Sequence, residues 1–393
     1  MELSVEIVAL LLLISAVVAI LTQRLRLPYS VGLVAAGIVL AFLPFTPEIH
    51  LSRSLLFTVL LPPLIFEAAF TLEWQELRKD LPLVLLLATV GVVLSAAVTT
   101  TGLHFLSHWQ WGSALVFGAL ISATDPVSVI ATFKGAQVRG RLRMLVESES
   151  LFNDGTAAVL FAVCVASATG HSPGPLEVSV MLLLMIGGSM LCGAVVAYAA
   201  LLLAGRTDDL FVEITFTTVA AYGSFLLAEH FHGSGVLATL VAGLIIGDMR
   251  TIKFISAEDR AAIQSFWDYA AFVANSLVFL LMGIRIAHEH FLGGWFSVVV
   301  AILLVLISRA VTVYPCCSVL WRTRLRVSLQ HQHVLFWGGL RGALALALAL
   351  SLPEEIPQRE SIVSISFAVV AFSIFVQGLT MKPLLRRFLE ISD

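Results

Sequence analysis

Long apolar runs separated by short polar stretches recur along nearly the whole chain. Each run is close to the ~20 residues that a helix needs to cross a bilayer, which predicts an all-α polytopic membrane protein. The short alternating segments of a membrane β-barrel do not dominate anywhere. The runs predict about thirteen transmembrane helices, over 4–22, 29–45, 53–71, 81–104, 111–132, 142–169, 175–204, 209–230, 233–249, 265–288, 294–318, 332–351 and 360–386. The second and ninth are short. The opening MELSVEIVALLL carries Glu2 and Glu6 and no basic residue before its apolar run, so it reads as a first span and not as a cleaved signal peptide.

Basic residues crowd every second loop. One set holds Arg24 and Arg26; Arg78 and Lys79; Lys134, Arg139, Arg141 and Arg143; Arg206; Arg250, Lys253 and Arg260; Arg322, Arg324 and Arg326; Lys382, Arg386 and Arg387. The other holds only Arg53 and Arg359. The positive-inside rule makes the first set cytoplasmic, with the N-terminus outside and the C-terminus inside. An odd number of spans satisfies that arrangement.

The spans divide into a possible six-helix unit over 1–169, a linking span over 175–204 and a second unit over 209–388, inverted by the odd linker. All of it is a single membrane domain over 1–393. The fifth span of each unit is irregular, through Thr124-Asp125-Pro126 in one and Gly338-Gly339-Leu340-Arg341-Gly342 in the other. Interrupted helices at matching places in two halves point to a midplane transport site.

Composition sharpens the picture. Of 393 residues, 59% are hydrophobic and 12% charged, against about 25% charged in a soluble domain. A net charge of −3 with no basic block gives no case for nucleic acid. The four cysteines lie in or beside apolar runs with no CxxC, so they read as small apolar residues. No GxSxG, Walker A, HExxH or Rossmann glycine motif occurs, which argues against an ATP-driven pump or an intramembrane zinc protease. The expectation is no enzyme and no cofactor.

The costly residues are the buried ionisable ones. A carboxylate at membrane depth costs several kcal/mol unless it is partnered, hydrated, protonated or cation-bound. Asp125 precedes Pro126, which removes a donor and opens the helix. Freed carbonyls and the hydroxyls of Ser122, Thr124 and Ser128 can then face a cation. In ESESLFNDG, Ser150 and Asp154 share one helical stripe, and Glu149 and Asn153 share another. Such hard oxygen ligands suit Na⁺. Glu67, after Pro62 and Pro63, is a further ligand or proton relay. Arg341 needs an anion, and Glu149 is the expected partner. Arg309 can snorkel or pair, and Arg285 is expected to snorkel.

Four stretches, PPLIFEAAF around Glu67, SATDPVSVIATF around Asp125, ESESLFNDGTAAVLF around Asp154 and GGLRGALALALAL around Arg341, resemble in order and spacing the monovalent cation/proton antiporters. The resemblance is to the branch of prokaryotic NhaP proteins and animal sodium/proton exchangers. It implies two inverted six-helix repeats with broken crossing helices, split into a core and a dimerisation domain, and a homodimer in the plasma (inner) membrane. It implies that Asp125 and Asp154 bind cation and proton in turn, with Ser150, the Thr124 carbonyl and Glu67 as further ligands. Asn153 would brace the crossed helices, and Glu149 with Arg341 would form a buried ion pair. Related electrogenic members carry aspartate at the Asn153 position together with a membrane-embedded lysine. Here all four lysines are expected in loops, which implies electroneutral exchange of one Na⁺ for one H⁺ by alternating access. The rivals are a K⁺- or Li⁺-selective antiporter, a channel, a membrane-embedded aspartyl enzyme and a non-transporting sensor or scaffold.

Overall fold

A computed structural model describes residues 5–25, 27–43, 54–125, 129–130, 132–133, 138, 140–170, 174–248, 257–289 and 294–389. Among them there is no strand. The helices are α1 (Val5–Leu25), α2 (Tyr29–Ala41), α3 (Leu55–Thr71), α4 (Trp74–Ser107), α5 (Trp111–Ile121), α6 (Arg141–Ala168), α7 (Pro175–Ala204), α8 (Leu210–His230), α9 (Gly235–Gly247), α10 (Ala257–His288), α11 (Trp295–Val319), α12 (Leu329–Trp337), α13 (Ala343–Leu350) and α14 (Arg359–Phe388). Every predicted span overlaps one of these. Eight are long and apolar enough to cross a membrane, while α2, α3, α5 and α9 are shorter apolar helices. Pro126 and Ser128, and with them Glu2, Arg26, Arg53, Lys134, Arg139, Arg250 and Lys253, lie outside the described residues.

The ends and bends have local causes. Asp209 caps α8 by accepting the Phe211 N–H at 2.9 Å, and Ser234 caps α9 through the Leu237 N–H. In α3 a π-helical turn over Leu55–Leu60 leads into Pro62 and Pro63. Pro63 has no N–H for the Val59 carbonyl one turn back. The Tyr222 hydroxyl on α8 donates to that carbonyl instead, at 3.1 Å.

Several expectations about loops are corrected, since Arg24 lies in the last turn of α1 and Arg141 and Arg143 open α6. Arg78 and Lys79 lie in α4, because Leu77, Asp80, Leu83 and Val84 bury one face of a continued amphipathic turn while Arg78 and Lys79 stay exposed. Lys382, Arg386 and Arg387 lie in the last turns of α14, where cations favour a helix C-terminus. Arg260 lies in α10, and its guanidinium donates to the terminal carbonyl of α9 at Gly247.

Packing sorts the helices into two groups. In the first, α2 lies on α10, α3 on α9, and α7 and α8 on α9, with α1 against α2. In the second, α4 lies on α5, α6 and α11, while α12, α13 and α14 close around α5 and α11. Arg141 braces the second group. Its guanidinium holds Asp80 on α4, with a shortest contact of 2.6 Å, and donates to the carbonyls of Leu325 and Arg326 at 3.0 and 2.8 Å. The groups meet where α3, α9 and α10 face α6, α13 and α14.

Candidate cation and proton site

The two breaks meet. Helix α5 ends at Ile121, and the chain runs on without helix through Asp125; α12 stops at Trp337, and α13 starts at Ala343. The Asp125 N–H donates to the Leu340 carbonyl at 2.8 Å. Arg341 sends Nη1 back to the carbonyls of Ser122 and Ala123, at 2.8 and 2.9 Å. Those carbonyls sit past the C-terminal end of α5, where intrahelical donors run out. A guanidinium there offsets the negative end of the helix. The converse holds at the other break. A methyl group added to Gly342 would overlap the Asp125 carboxylate. Glycine therefore lets that carboxylate reach the chain just before α13, the positive end of that helix. Each break carries a charge that matches the helix end of the other.

Helix α6 supplies two stripes that separate as their spacing predicts. Along one, the Ser150 hydroxyl donates to the Thr124 carbonyl, and the Thr124 hydroxyl donates to Ser150 Oγ at 3.1 Å. Asp154 follows on this stripe. Its Oδ1 is buried and has no hydrogen-bond partner among the described residues. Along the other stripe, Glu149 is 2% exposed and Asn153 is equally buried. The Asn153 amide donates to Glu149 Oε1 at 3.5 Å, and its own Oδ1 has no partner among the described residues.

The expected pairing of Glu149 with Arg341 is overturned. Arg309 on α11 takes Glu149 in a two-pronged contact, Nη1 to Oε1 at 2.7 Å and Nη2 to Oε2 at 2.9 Å. Its Nη2 also donates to the Leu335 carbonyl at 3.0 Å, near the end of α12. The physical reason is placement: Arg309 reaches both oxygens of Glu149, while Arg341 is turned towards the α5 end, where its Nη1 holds the carbonyls of Ser122 and Ala123. The Ser122 hydroxyl does not face the cavity either; it donates back to the Ala119 carbonyl at 2.6 Å. Arg285, expected to snorkel, pairs with Glu289 at 2.9 Å.

Glu67, Thr124, Asp125 and Asp154 line one cavity of about 100 Å³ together with Asn275. That volume is roughly three waters' worth at ~30 Å³ each, or a small ion with part of its hydration shell. Four of the five predicted ligand residues therefore share one space, and Ser150 is hydrogen-bonded to Thr124 on its lining. Sequence reasoning missed Asn275 and undervalued Arg309. A lone amide in the apolar stretch FVANSLVFLL was the available signal for the first. Chemically, the cavity offers carboxylates, a hydroxyl and an open carboxylate oxygen to one small cation or to a proton. No group of three or more His, Cys, Asp or Glu side chains suited to a resident metal occurs among the described residues.

The chain is 38% identical over 378 residues to the low-affinity Na⁺/H⁺ antiporter NhaS1 of Synechocystis, covering 94% of this chain and 71% of that protein. It is 36% identical to the Na⁺/H⁺ antiporter NhaH of Halobacillus dabanensis, covering 97% and 96%. Its fold is similar to that of the sodium proton antiporter MjNhaP1 of Methanocaldococcus jannaschii, with a TM-score of 0.81 and 19% identity over the full length of both chains. The model of the transmembrane sodium/hydrogen exchangers matches residues 10–387. By that match, spanning nearly all of its residues, the chain belongs to the sodium/hydrogen exchanger family.

Proposed function

We propose that this protein exchanges one Na⁺ for one H⁺ across the membrane by alternating access, with Asp125 and Asp154 as the shared binding groups. The observation that carries it is the open Oδ1 of Asp154, buried beside a cavity that Asp125, Thr124 and Glu67 also line. A buried acceptor without a partner is costly, and a proton or a cation removes that cost. Thr124 and Ser150 hold each other in place and leave their remaining lone pairs for the ion.

Coupling follows from charge. Burial and a second nearby carboxylate both disfavour the bare anion. With a proton or a cation bound, the site is neutralised and can move past the other helix group. Empty, it would carry a naked charge towards lipid, so that crossing is rare. Asn153 beside Asp154 leaves one carboxylate in that pair, and Lys79 and Lys382, the lysines among the described residues, sit near helix ends away from the cavity. Both support an electroneutral cycle.

The two-group packing supports a moving body of α4–α6 and α11–α14 against a fixed body of α1–α3 and α7–α10. It also supports the inverted repeat. If the unit over 209–388 copies that over 1–169, α2 corresponds to α9, α3 to α10 and α4 to α11. The α2–α10 and α3–α9 contacts then exchange under the repeat, and the α4–α11 contact maps onto itself. Large apolar side chains such as Leu183, Leu184 and Leu191 on α7 are exposed and suit a homodimer face or lipid. The N-terminus faces outside and the C-terminus the cytoplasm of the plasma (inner) membrane, by the charge alternation.

The test is exchange in proteoliposomes carrying a pH dye, with Na⁺, Li⁺ or K⁺ gradients and with an imposed membrane potential. Cation-driven proton movement that ignores the potential is expected. Current without counter-ion movement would indicate a channel, and potential-dependent exchange would overturn the one-for-one stoichiometry.

A further inference from the structure

The cavity beside the aspartates has two walls of different origin. Thr124, Asp125 and Asp154 belong to the second helix group; Glu67 on α3 and Asn275 on α10 belong to the first. Apart from Ser276 the stretch around Asn275 is apolar, and every residue from Leu277 to Gly283 is buried.

Helix α10 is held firmly on its far side. Ser276 donates to the Phe272 carbonyl at 2.6 Å and shares a 2.7 Å hydrogen bond with the Tyr29 hydroxyl on α2. The Tyr29 ring stacks on Phe272 at 5.4 Å. Further along, Gly283 and Gly37 let the two backbones touch, and a methyl on either would overlap the main chain opposite. The residue next to Asn275 is thus clamped to α2, while Asn275 itself faces the cavity. No hydrogen bond to a described residue holds its amide. The amide is half-buried at the edge of a cavity that carboxylates also line, so it is open to a water or an ion there. Its carbonyl is a neutral, hard oxygen donor of the kind alkali ions take.

We infer that Asn275 is a specificity-determining residue. Directly or through one water, its side-chain oxygen completes the shell of the monovalent cation held by Asp125 and Asp154, from the wall that the other helix group carries. This rests on the exchange reading above. The carboxylates supply charge, and a neutral oxygen on a clamped helix sets the distance across the cavity. Asn275 therefore governs which alkali ion fits, and it leaves the proton coupling to the aspartates, because an amide does not titrate in this range.

The experiment uses the full chain in proteoliposomes, with the apparent KM and maximal rate measured for Na⁺, Li⁺ and K⁺. Asn275→Leu is expected to raise the apparent KM for Na⁺ by about tenfold, the scale of one lost polar contact. It should flatten the preference among the three ions and leave the maximal rate within about twofold. Asn275→Gln, which keeps the carboxamide, is expected to recover most of the affinity while shifting the rank order of ions. Wild-type KM and rank order in Asn275→Leu, with Asp154→Asn inactive, would overturn the role of Asn275 and leave the exchange reading intact. A lower maximal rate with KM and rank order unchanged would also overturn it, since that is what a packing residue does. Full exchange by Asp154→Asn would overturn the exchange reading itself. Should Asn275→Leu fail to reconstitute, Asn275→Ala removes the oxygen with less bulk and is judged by the same KM and rank-order criteria.

Discussion

Helix α6 carries two buried carboxylates little more than one turn apart, and their surroundings are opposite. Glu149 is gripped at both oxygens by Arg309, and the Asn153 amide leans on it as well. Asp154 presents an oxygen that nothing described holds. A buried ion pair made with good geometry repays its own desolvation and fixes an arrangement. A buried acceptor left open repays nothing until something arrives. The same residue chemistry on the same helix is therefore tied into the architecture on one stripe and left open, for the exchange we propose, on the next; what separates them is whether an arginine grips the carboxylate.

The strongest way to break that contrast is Asp154→Asn. Exchange should fall to background in the pH-dye assay, while the purified protein keeps its elution position and melting temperature, because no described protein contact is lost. On the Glu149 stripe the opposite is expected. Arg309→Ala leaves a buried carboxylate alone and should cost about 3–5 kcal/mol of stability, read as a lowered thermal midpoint in detergent. Replacing both partners, Glu149→Leu with Arg309→Leu, should regain much of that loss; no recovery would mean the pair does more than brace. Gly342→Ala pushes a methyl group into the Asp125 carboxylate. Overpacking of ~1–3 kcal/mol should appear as about a tenfold or larger rise in the apparent KM for Na⁺, with stability changed less than in Arg309→Ala. If proton and cation compete for one site, as proposed, lowering the pH through its titration should weaken apparent Na⁺ affinity by up to about tenfold per pH unit. A pH-independent KM would detach Asp154 from the coupling. The smallest effect is expected at a neutral contact: Tyr222→Phe removes one hydroxyl from the Val59 carbonyl and should cost about 1 kcal/mol, with exchange retained.

Much of this was legible in the chain. The interruptions at 124–126 and 338–342 announce themselves through proline and glycine, residues whose backbone chemistry ends helices, and the i, i+4 spacing already separates Ser150 and Asp154 from Glu149 and Asn153. What spacing does not carry is choice among distant partners. Arg309 and Arg341 were both available to Glu149; the winner lies 160 residues away from it, and the decision turned on helix-end carbonyls that only the assembled crossing brings near Arg341. Charge alone suggests loops at Arg78, Lys79 and Arg260, although charge at the end of a long helix stays hydrated and stops nothing. Asn275 belongs to no motif, and its place in the cavity follows from how α10 is turned by Tyr29 and Ser276.

The main-chain bond from Asp125 to Leu340 has a mechanical consequence. It stitches two helix breaks that come from opposite halves of the sequence, and Arg341 doubles the seam. Sliding one break without the other would strand an amide, several carbonyls and a guanidinium without partners in the protein interior at once. If the proposed exchange moves this part of the protein, the two breaks move as one rigid piece, built from both halves of the polypeptide.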